Sequence, residues 1–134
     1  MAKLYETTVI NTGGRSGEAY TPDHSFHYKI AAPGSKIKDT TNPEQLFAAG
    51  YGACFNSAVE FIMKQENLSH PCTLNVTVSL YEETNKGFYI GVVIEGHIEN
   101  IDLQTAQHLL EKAHQVCPYS QATKGNIDVV IKAI

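Results

Sequence analysis

The sequence predicts an α+β fold, in which helices pack against largely antiparallel sheets. Runs of alternating apolar and polar residues lie on either side of helical patterns, without the strict strand–helix alternation of a parallel sheet. The 134 residues carry no repeat and no low-complexity segment. That length is typical of one domain, so we predict a single domain over residues 1–134.

Five segments carry strand patterns, and turn residues separate them. The predicted strands cover residues 3–10, 24–31, 74–82, 88–98 and 126–134. Residues 13–17 form a glycine-rich turn after the first strand. Asn85-Lys86-Gly87 joins the third and fourth strands, which we therefore predict to form a hairpin.

The first predicted helix begins at Pro43, with Asn42 or Thr41 as its N-cap, and runs to about Glu66. Glu44 places a negative charge in the first turn, where the helix dipole favours it.

The second predicted helix follows Asp102, a suitable N-cap, and runs from Leu103 to about Val116. Pro118 stops or kinks it, and Gly125 ends a short third helical turn.

The first half of the first helix has very little side-chain bulk. Its small residues are Ala48, Ala49, Gly50, Gly52 and Ala53. Two glycines inside a helix cost about 1 kcal/mol each relative to alanine, so we expect another backbone to pack very close there. Little polar surface lies between Leu46 and Val59, which is typical of a helix buried on most sides. We therefore expect a central helix covered by strands of its own chain and of a partner.

Charge and cysteine content exclude several classes of protein. Ten basic and fourteen acidic side chains give a net charge of −4, and without a basic run we expect no binding to nucleic acid. Three cysteines at irregular spacing do not form the framework of a secreted disulfide-rich protein. We find neither a signal segment nor an apolar run of about 18 residues, so we expect a soluble cytoplasmic protein with reduced thiols and no membrane contact.

The histidines and cysteines do not form a metal-binding pattern. His24 with His27, and His70 with Cys72, are short pairs without the repeated cluster typical of zinc sites. The sequence also has no Gly-rich phosphate loop and no nucleophile elbow. We therefore expect neither a metal nor a nucleotide cofactor.

Cys54 and Cys117 lie in contexts that suit redox chemistry. Cys54 is inside the first helix, Cys117 is where the second helix meets Pro118, and the two cysteines are 63 positions apart. If the fold brings them together, one thiol can react with an oxidant and the other can close a disulfide. The alternatives are a buried apolar side chain for Cys54 and an incidental cysteine at a helix end for Cys117. Cys72 precedes a strand, and we interpret it as structural or incidental.

A reactive cysteine usually needs a nearby cation to lower its pKa. Arg15, the sole arginine, lies in a glycine-flanked loop and is the candidate cation for Cys54. The alternative for Arg15 is a solvated loop charge. Glu44 lies ten residues before Cys54, on about the same helix face, and is a candidate to orient Arg15. Otherwise Glu44 is an ordinary acidic residue of a first turn.

Several segments together resemble one family. They are residues 13–17, 41–51, 53–55, 116–120 and 122–129, and the segment 116–120 contains the Cys117-Pro118-Tyr119-Ser120 motif. In this order, and along nearly the whole chain, they resemble the organic hydroperoxide resistance (Ohr) branch of the Ohr/OsmC superfamily. The Cys-Pro-Tyr-Ser context is closer to this branch than to the osmotically inducible branch.

The resemblance implies a thiol-dependent peroxidase for organic and lipid-derived hydroperoxides, without metal or haem. It implies that Cys54 is the peroxidatic thiol and Cys117 the resolving thiol. Arg15 and Glu44 would form the charged pair that activates Cys54 and positions the peroxide. The resemblance also implies an intertwined homodimer with central cysteine-bearing helices. The reductant it implies is dihydrolipoamide or a lipoylated protein.

Three aromatic residues are candidates for substrate binding. Phe47, Tyr51 and Phe55 surround Cys54 in sequence and would favour bulky organic peroxides over hydrogen peroxide. The alternative is that these rings belong to the core. Two features depart from the family pattern: the loop 34–39 is more charged than the expected glycine-rich segment, and Cys72 has no family role.

Two other classes of function also use Cys54. A thiol redox sensor or small-ligand binding protein on the same fold would oxidise once and would not consume peroxide steadily. A hydrolase with Cys54 as nucleophile would need a positioned base, and no histidine in the sequence stands out for that role.

Overall fold

Two sheets and three helices make up the chain, which confirms the predicted α+β class. This computed structural model describes residues 1–134 and divides them into two compact units, Met1–Leu46 and Phe47–Ile134. The single domain over residues 1–134 stays a prediction, and so does the homodimer. Three of the five strand pairings are antiparallel, as the sequence predicts for most of them.

The N-terminal unit holds a four-stranded sheet. Its strands, in sheet order, are β1 (Ile10–Thr12), β2 (Glu18–Tyr20), β3 (His27–Ile30) and β4 (Thr40–Thr41). The first three pair antiparallel, whereas β3 and β4 pair parallel. The turn between β1 and β2 includes the 3₁₀ segment Gly14–Ser16, and the Asn11 side chain bonds to backbone atoms of Gly14 and Glu18. A Cβ on Gly17 would lie 1.7 Å from the carbonyl oxygen of Thr12, so this turn requires glycine.

Two of the strand predictions in this unit are wrong in their bounds. Of the predicted strand 3–10, only its last residue belongs to β1, and residues 1–9 are exposed outside any strand. An alternating pattern forms a strand only where a neighbour completes the hydrogen-bond ladder. The predicted strand 24–31 shortens to β3, because His24 has a left-handed backbone (φ 60°) in the turn before it.

Helix α1 (Pro43–Gln65) begins where the sequence predicts and ends one residue earlier than predicted. Asn42 is its N-cap, since its side-chain oxygen accepts from the backbone N–H of Gln45 at 2.8 Å. Asn67 adopts φ 57° just beyond the helix, and the backbone N–H of Leu68 then bonds to the Met63 carbonyl. This left-handed C-terminal motif explains why the helix ends there.

The expectation that no apolar segment is long enough to cross a membrane is wrong for α1. By length and composition alone, this helix passes that test. Five of its large side chains, however, belong to the hydrophobic core: Tyr51, Phe55, Val59, Ile62 and Met63 are buried. Such burial is typical of a core helix, which explains its apolar composition.

The C-terminal unit holds a three-stranded sheet with strand order β5-β6-β7. The predicted hairpin is confirmed and is longer than predicted: β5 (Cys72–Glu83) pairs antiparallel with β6 (Gly87–Ile98). The last strand, β7 (Val129–Ala133), pairs parallel with β6. Helix α2 (Leu103–Val116) has the predicted bounds, and α3 (Pro118–Thr123) follows it. One core includes buried residues of α1, α2 and β6.

Within this chain, the close neighbours of the helix glycines are side chains rather than backbone, and close packing against a partner's backbone stays a prediction. A Cβ on Gly50 would lie 2.6 Å from the hydroxyl oxygen of Tyr119. A Cβ on Gly52 would lie 3.3 Å from a methyl carbon of Val76. Glycine lowers the stability of this helix, but at Gly50 the missing side chain leaves room for an aromatic ring. That ring belongs to Tyr119 of the Cys-Pro-Tyr-Ser motif.

Candidate active site

The fold brings Cys54 and Cys117 together from 63 positions apart. Cys54 lies in the middle of α1, and Cys117 lies at the break between α2 and α3. The two sulfur atoms are 3.6 Å apart, with the Cys117 thiol donating to the Cys54 sulfur. A disulfide needs a sulfur–sulfur distance of about 2.05 Å, so bond formation requires a movement of about 1.5 Å.

The break at Cys117 follows from the sequence around it. Its backbone is extended (φ −64°, ψ 125°), so it serves as C-cap of α2 and N-cap of α3. Its N–H bonds to the Ala113 carbonyl, and its own carbonyl accepts from the N–H of Gln121. Pro118 disfavours helical backbone at the preceding residue and itself suits the first position of α3. The sequence thus ends one helix and begins another at the cysteine.

The two thiols differ in burial. Cys117 is fully buried, whereas Cys54 is only partly buried. An oxidant from solvent therefore reaches Cys54 more readily, and Cys117 is screened behind the protein surface. This division suits an attacking thiol and a second thiol that reacts only within the protein.

The electrostatic surroundings of Cys54 differ from the expectation. Burial raises the pKa of the Cys54 thiol, and Cys117 raises it further, first through the hydrogen bond between the two thiols and then through the repulsion that two thiolates would feel. The backbone N–H of Tyr119 lowers the pKa, since it can donate to the thiolate. None of these influences is a basic side chain. The pKa of Cys54 is therefore raised, whereas we expected it to be lowered.

Arg15 and Glu44 form an ion pair within the N-terminal unit. Arg15 Nη1 and Nη2 donate to the two carboxylate oxygens of Glu44, at 3.0 and 2.7 Å. Such two-pronged geometry fixes both side chains in orientation. The hydrogen bond to Arg15 lowers the pKa of Glu44, and the one to Glu44 raises the pKa of Arg15 further above its ordinary range. The role of this pair in activating Cys54 stays a prediction.

The three aromatic candidates fall into two groups. Tyr51 and Phe55 are fully buried in the hydrophobic core, which corresponds to the alternative interpretation of these rings. Phe47 is partly exposed and lines a pocket of about 480 Å³ together with Pro118 and Tyr119 of the Cys117 motif. Of the three, Phe47 alone is placed to contact a substrate in this pocket.

Three polar residues near the thiols, Ser120, His114 and Thr123, were not among the site residues predicted from the sequence. Ser120 Oγ lies 2.8 Å from the hydroxyl oxygen of Tyr51 and 2.7 Å from His114 Nδ1. Thr123 Oγ1 lies 3.3 Å from the same Tyr51 oxygen. The signal for Ser120 was present in the Cys-Pro-Tyr-Ser motif. Its partner on α1, Tyr51, is 69 positions away, too far for any local pattern to reveal the contact.

Cys72 begins β5 and has different neighbours from the other two cysteines. Burial and the negative charge of Glu60 raise the pKa of the Cys72 thiol to about 11. Its backbone carbonyl accepts from the Asn56 side chain. At neutral pH this thiol is protonated and therefore a poor nucleophile.

The histidine pairs of the sequence do not form a metal centre. No group of three or more His, Cys, Asp or Glu side chains is arranged to hold a metal ion. His27 Nε2 instead lies 2.6 Å from a carboxylate oxygen of Glu18 on the neighbouring strand.

Comparisons with known proteins agree with this arrangement. Residues 34–132 match the family described as OsmC-like protein. The organic hydroperoxide resistance protein-like 2 of Staphylococcus epidermidis is 46% identical over 131 residues, covering 94% of this chain and 92% of that protein. The organic hydroperoxide resistance protein OhrA of Bacillus subtilis is 40% identical over 134 residues, covering 96% and 95%. This chain belongs to the OsmC-like family, in its Ohr branch.

The Ohr-branch fold is also seen in solved structures. The crystal structure of the organic hydroperoxide resistance protein OhrB of Bacillus subtilis matches with a TM-score of 0.92 at 38% identity. That match covers 98% of this chain and 100% of the OhrB chain. The fold predicted by the resemblance is therefore confirmed over nearly the whole length.

Proposed function

We propose that this protein is a thiol-dependent peroxidase that reduces organic hydroperoxides to alcohols. The observation that carries the proposal is the 3.6 Å distance between the sulfur atoms of Cys54 and Cys117. The names of its relatives, organic hydroperoxide resistance proteins, support the class of substrate.

The first step is the oxidation of Cys54. Its thiolate attacks the distal oxygen of the hydroperoxide, the oxygen–oxygen bond breaks, and the alkoxide takes up a proton and leaves as the alcohol. Cys54 becomes a sulfenic acid. The backbone N–H of Tyr119 favours the thiolate form of Cys54, which supports its role as the attacking sulfur.

The second step closes a disulfide. The Cys117 sulfur attacks the Cys54 sulfur, a sulfur–sulfur bond forms, and the hydroxyl group leaves as water. The position of Cys117 supports this step, because its buried sulfur lies 3.6 Å from the Cys54 sulfur. An external dithiol then reduces the disulfide by two thiol–disulfide exchanges and is itself oxidised.

We propose that the reductant is dihydrolipoamide or a lipoylated protein and that neither metal nor haem takes part. Both electrons of the reduction come from thiols, so the chemistry balances without a further cofactor. We also propose a cytoplasmic location, a compartment in which glutathione and thioredoxin keep thiols reduced.

An apolar pocket supports a preference for organic substrates. Phe47, Tyr119 and Ile127 are among its lining residues, and Tyr119 follows the resolving cysteine by two positions. Burial of an alkyl or aryl group contributes roughly 25 cal/mol per Å², a gain that hydrogen peroxide cannot provide. Cumene hydroperoxide is therefore the better substrate in this proposal.

We further propose that the protein is a homodimer. Large apolar side chains outside the core are strongly exposed, including Leu4 at 94%, Tyr5 at 80% and Phe88 at 73%. Residues 3–10 have a strand pattern but lack a neighbouring strand for most of their length. Surfaces of this kind are typical of an interface between copies. Analytical ultracentrifugation tests the proposal, and a monomeric wild type would contradict it.

Turnover in the presence of excess dihydrolipoamide tests the proposed function. We expect the wild type to consume cumene hydroperoxide over many cycles and the Cys54→Ser variant to consume none. Cys72→Ser is the matched control, since it also removes one thiol, and it should retain wild-type turnover. Steady consumption by Cys54→Ser would contradict the proposal. A single stoichiometric oxidation of the wild type would indicate a redox sensor instead.

A further inference from the structure

Three hydrogen-bonded side chains near the cysteines have no part in the proposed chemistry. Tyr51, Ser120 and His114, here called the polar chain, are joined through Ser120 Oγ by contacts of 2.8 and 2.7 Å. Tyr51 and Ser120 are almost completely buried. Burying a hydroxyl group without a partner costs free energy, so the mutual contact of these two stabilises one arrangement of their helices.

Members of the polar chain lie about one helical turn from each cysteine. Tyr51 precedes Cys54 by three residues on α1. Ser120 follows Cys117 by three residues on α3, and His114 precedes it by three residues on α2. The Ser120 hydroxyl therefore connects the two helices on either side of the break with the helix that carries Cys54.

Backbone–backbone hydrogen bonds do not fix the distance between the cysteines. The two such bonds at Cys117 hold the break within α2 and α3. Neither reaches α1. The backbone N–H of Tyr119 reaches α1, but it bonds to the Cys54 sulfur itself, the atom that is oxidised in the proposed reaction. The Tyr51–Ser120 contact spans 69 positions and joins α3 directly to α1.

The His114 imidazole adds a second contact with α1. Its ring centroid lies 6.4 Å from that of Phe55, the residue after Cys54. Burial lowers the pKa of His114, and the positive charge of Lys124 lowers it further. The neutral ring is therefore favoured, and a neutral ring is the less costly form to keep against apolar neighbours.

We propose that the polar chain positions Cys117 for the resolving step, by fixing the α2–α3 break against α1. This inference rests on the proposed peroxidase function. Tyr51, Ser120 and His114 are positioning residues here, because they act through the helices that carry the two cysteines.

The resolving step competes with a damaging reaction. The Cys54 sulfenic acid either condenses with the Cys117 thiol, which gives the disulfide and water, or reacts with a second hydroperoxide, which gives a sulfinic acid and another alcohol. A dithiol reduces the disulfide but not the sulfinic acid. Because a misplacement of about 1 Å can slow a positioned reaction by about 100-fold, a disturbed polar chain should shift Cys54 toward the sulfinic acid.

Two variants and two references test this inference in the full-length protein. Ser120→Ala removes the central hydroxyl, and Tyr51→Phe removes one partner while keeping its ring. Tyr81→Phe is the matched control, because it removes a hydroxyl from an exposed tyrosine of the same unit. Cys117→Ser sets the limit in which no resolving thiol exists. Mass spectrometry measures the ratio of disulfide to sulfinic acid as cumene hydroperoxide is increased, and rapid mixing measures the first oxidation of Cys54.

We expect both polar-chain variants to reach half-maximal sulfinic acid at about tenfold lower peroxide than the wild type and Tyr81→Phe. The rate of the first oxidation of Cys54 should change by less than about twofold, since the polar chain acts on the second step. Circular dichroism and urea unfolding establish that the variants are folded.

Different results separate the possible failures. If folded variants keep the wild-type ratio and lose only stability, the positioning role is overturned and the polar chain is merely structural. Should Ser120→Ala fail to fold, Tyr51→Phe decides the question, because its packing is conserved. If the wild type itself forms no disulfide with peroxide, the proposed function fails, and the inference fails with it.

Discussion

Cys54 and Cys72 are partly buried thiols in the same unit, and burial raises the pKa of both. They differ in what lies around the sulfur. Cys72 faces the negative charge of Glu60, which raises its pKa further. Cys54 has a second thiol 3.6 Å away and a backbone N–H that favours its thiolate. The comparison teaches that two thiols of similar burial can have very different surroundings, so the immediate neighbours rather than burial set them apart.

The largest expected difference is in the alkylation of Cys72. With a pKa of about 11 against about 8.5 for an unperturbed cysteine, Cys72 should react with iodoacetamide at pH 7 about 300-fold more slowly than a cysteine peptide. The rate should increase tenfold per pH unit up to about pH 11, because a raised pKa postpones formation of the thiolate. Peptide mapping after timed alkylation measures this rate.

The Glu60→Gln variant sharpens the same comparison. Removing this negative charge should lower the pKa of Cys72 and speed its alkylation, while burial keeps it slower than the peptide. The alkylation rate of Cys54 should not change. If Cys72 in the wild-type protein reacted as fast as the cysteine peptide, its surroundings would not suppress its reactivity. The proposed contrast between Cys72 and Cys54 would then be lost.

A smaller effect is expected from Arg15, which belongs to the N-terminal unit. If its charge serves Cys54, as the resemblance implies, Arg15→Ala should slow the oxidation of Cys54 by about tenfold or more. Arg15→Lys keeps the charge but loses the two-pronged contact with Glu44, so it should recover part of the rate. Rapid-mixing kinetics with cumene hydroperoxide provide the measurement.

Lys3→Ala is the control for this prediction. Lys3 pairs with Glu6 in the same unit, with both side chains largely exposed, and its loss should leave the oxidation rate unchanged. Wild-type kinetics in Arg15→Ala would show that the ion pair is not needed for the thiol chemistry. The backbone N–H of Tyr119 would then have to activate the Cys54 thiol without a cation.

Local signals in the sequence predict part of this fold well. Helix α2 has the predicted bounds because Asp102 caps its start and Pro118 follows its end. Residues next to the helix therefore determine both of its ends. The segment 3–10 has an equally clear strand pattern and forms almost no strand. A helix satisfies most of its hydrogen bonds within itself, whereas a strand depends on a neighbour that local sequence does not specify.

The candidate site shows the same limit. Each cysteine is recognisable from its own context, but their proximity depends on how α1, α2 and α3 pack. Tyr51 has the pattern of an apolar core residue, and it is one, yet its hydroxyl also contacts a serine 69 positions away. Spacing along the chain carries no information about such a contact, so the sequence does not predict the role of the Tyr51 hydroxyl.

The smallest expected effect is the difference in stability between alanine variants of Gly50 and Gly52, which lie two positions apart on α1. Alanine is favoured over glycine in a helix by up to about 1 kcal/mol, and Gly52→Ala should gain most of this, since the nearest atom is a Val76 methyl at 3.3 Å. Gly50→Ala places its Cβ 2.6 Å from the Tyr119 hydroxyl, whose ring packs against Phe47 and Tyr51. Displacing that ring should cost about 1–2 kcal/mol, so Gly50→Ala should be the less stable variant.

Urea unfolding of both alanine variants, kept reduced with excess dithiol, measures this difference. Because the backbone N–H of Tyr119 acts on the Cys54 thiol, Gly50→Ala should also slow the oxidation of Cys54, whereas Gly52→Ala should not. Equal stability of the two variants would mean that the Tyr119 ring moves aside freely. A slower oxidation in Gly50→Ala alone, at equal stability, would still separate the two positions, because it would assign the effect to the Tyr119 contact with Cys54 rather than to packing.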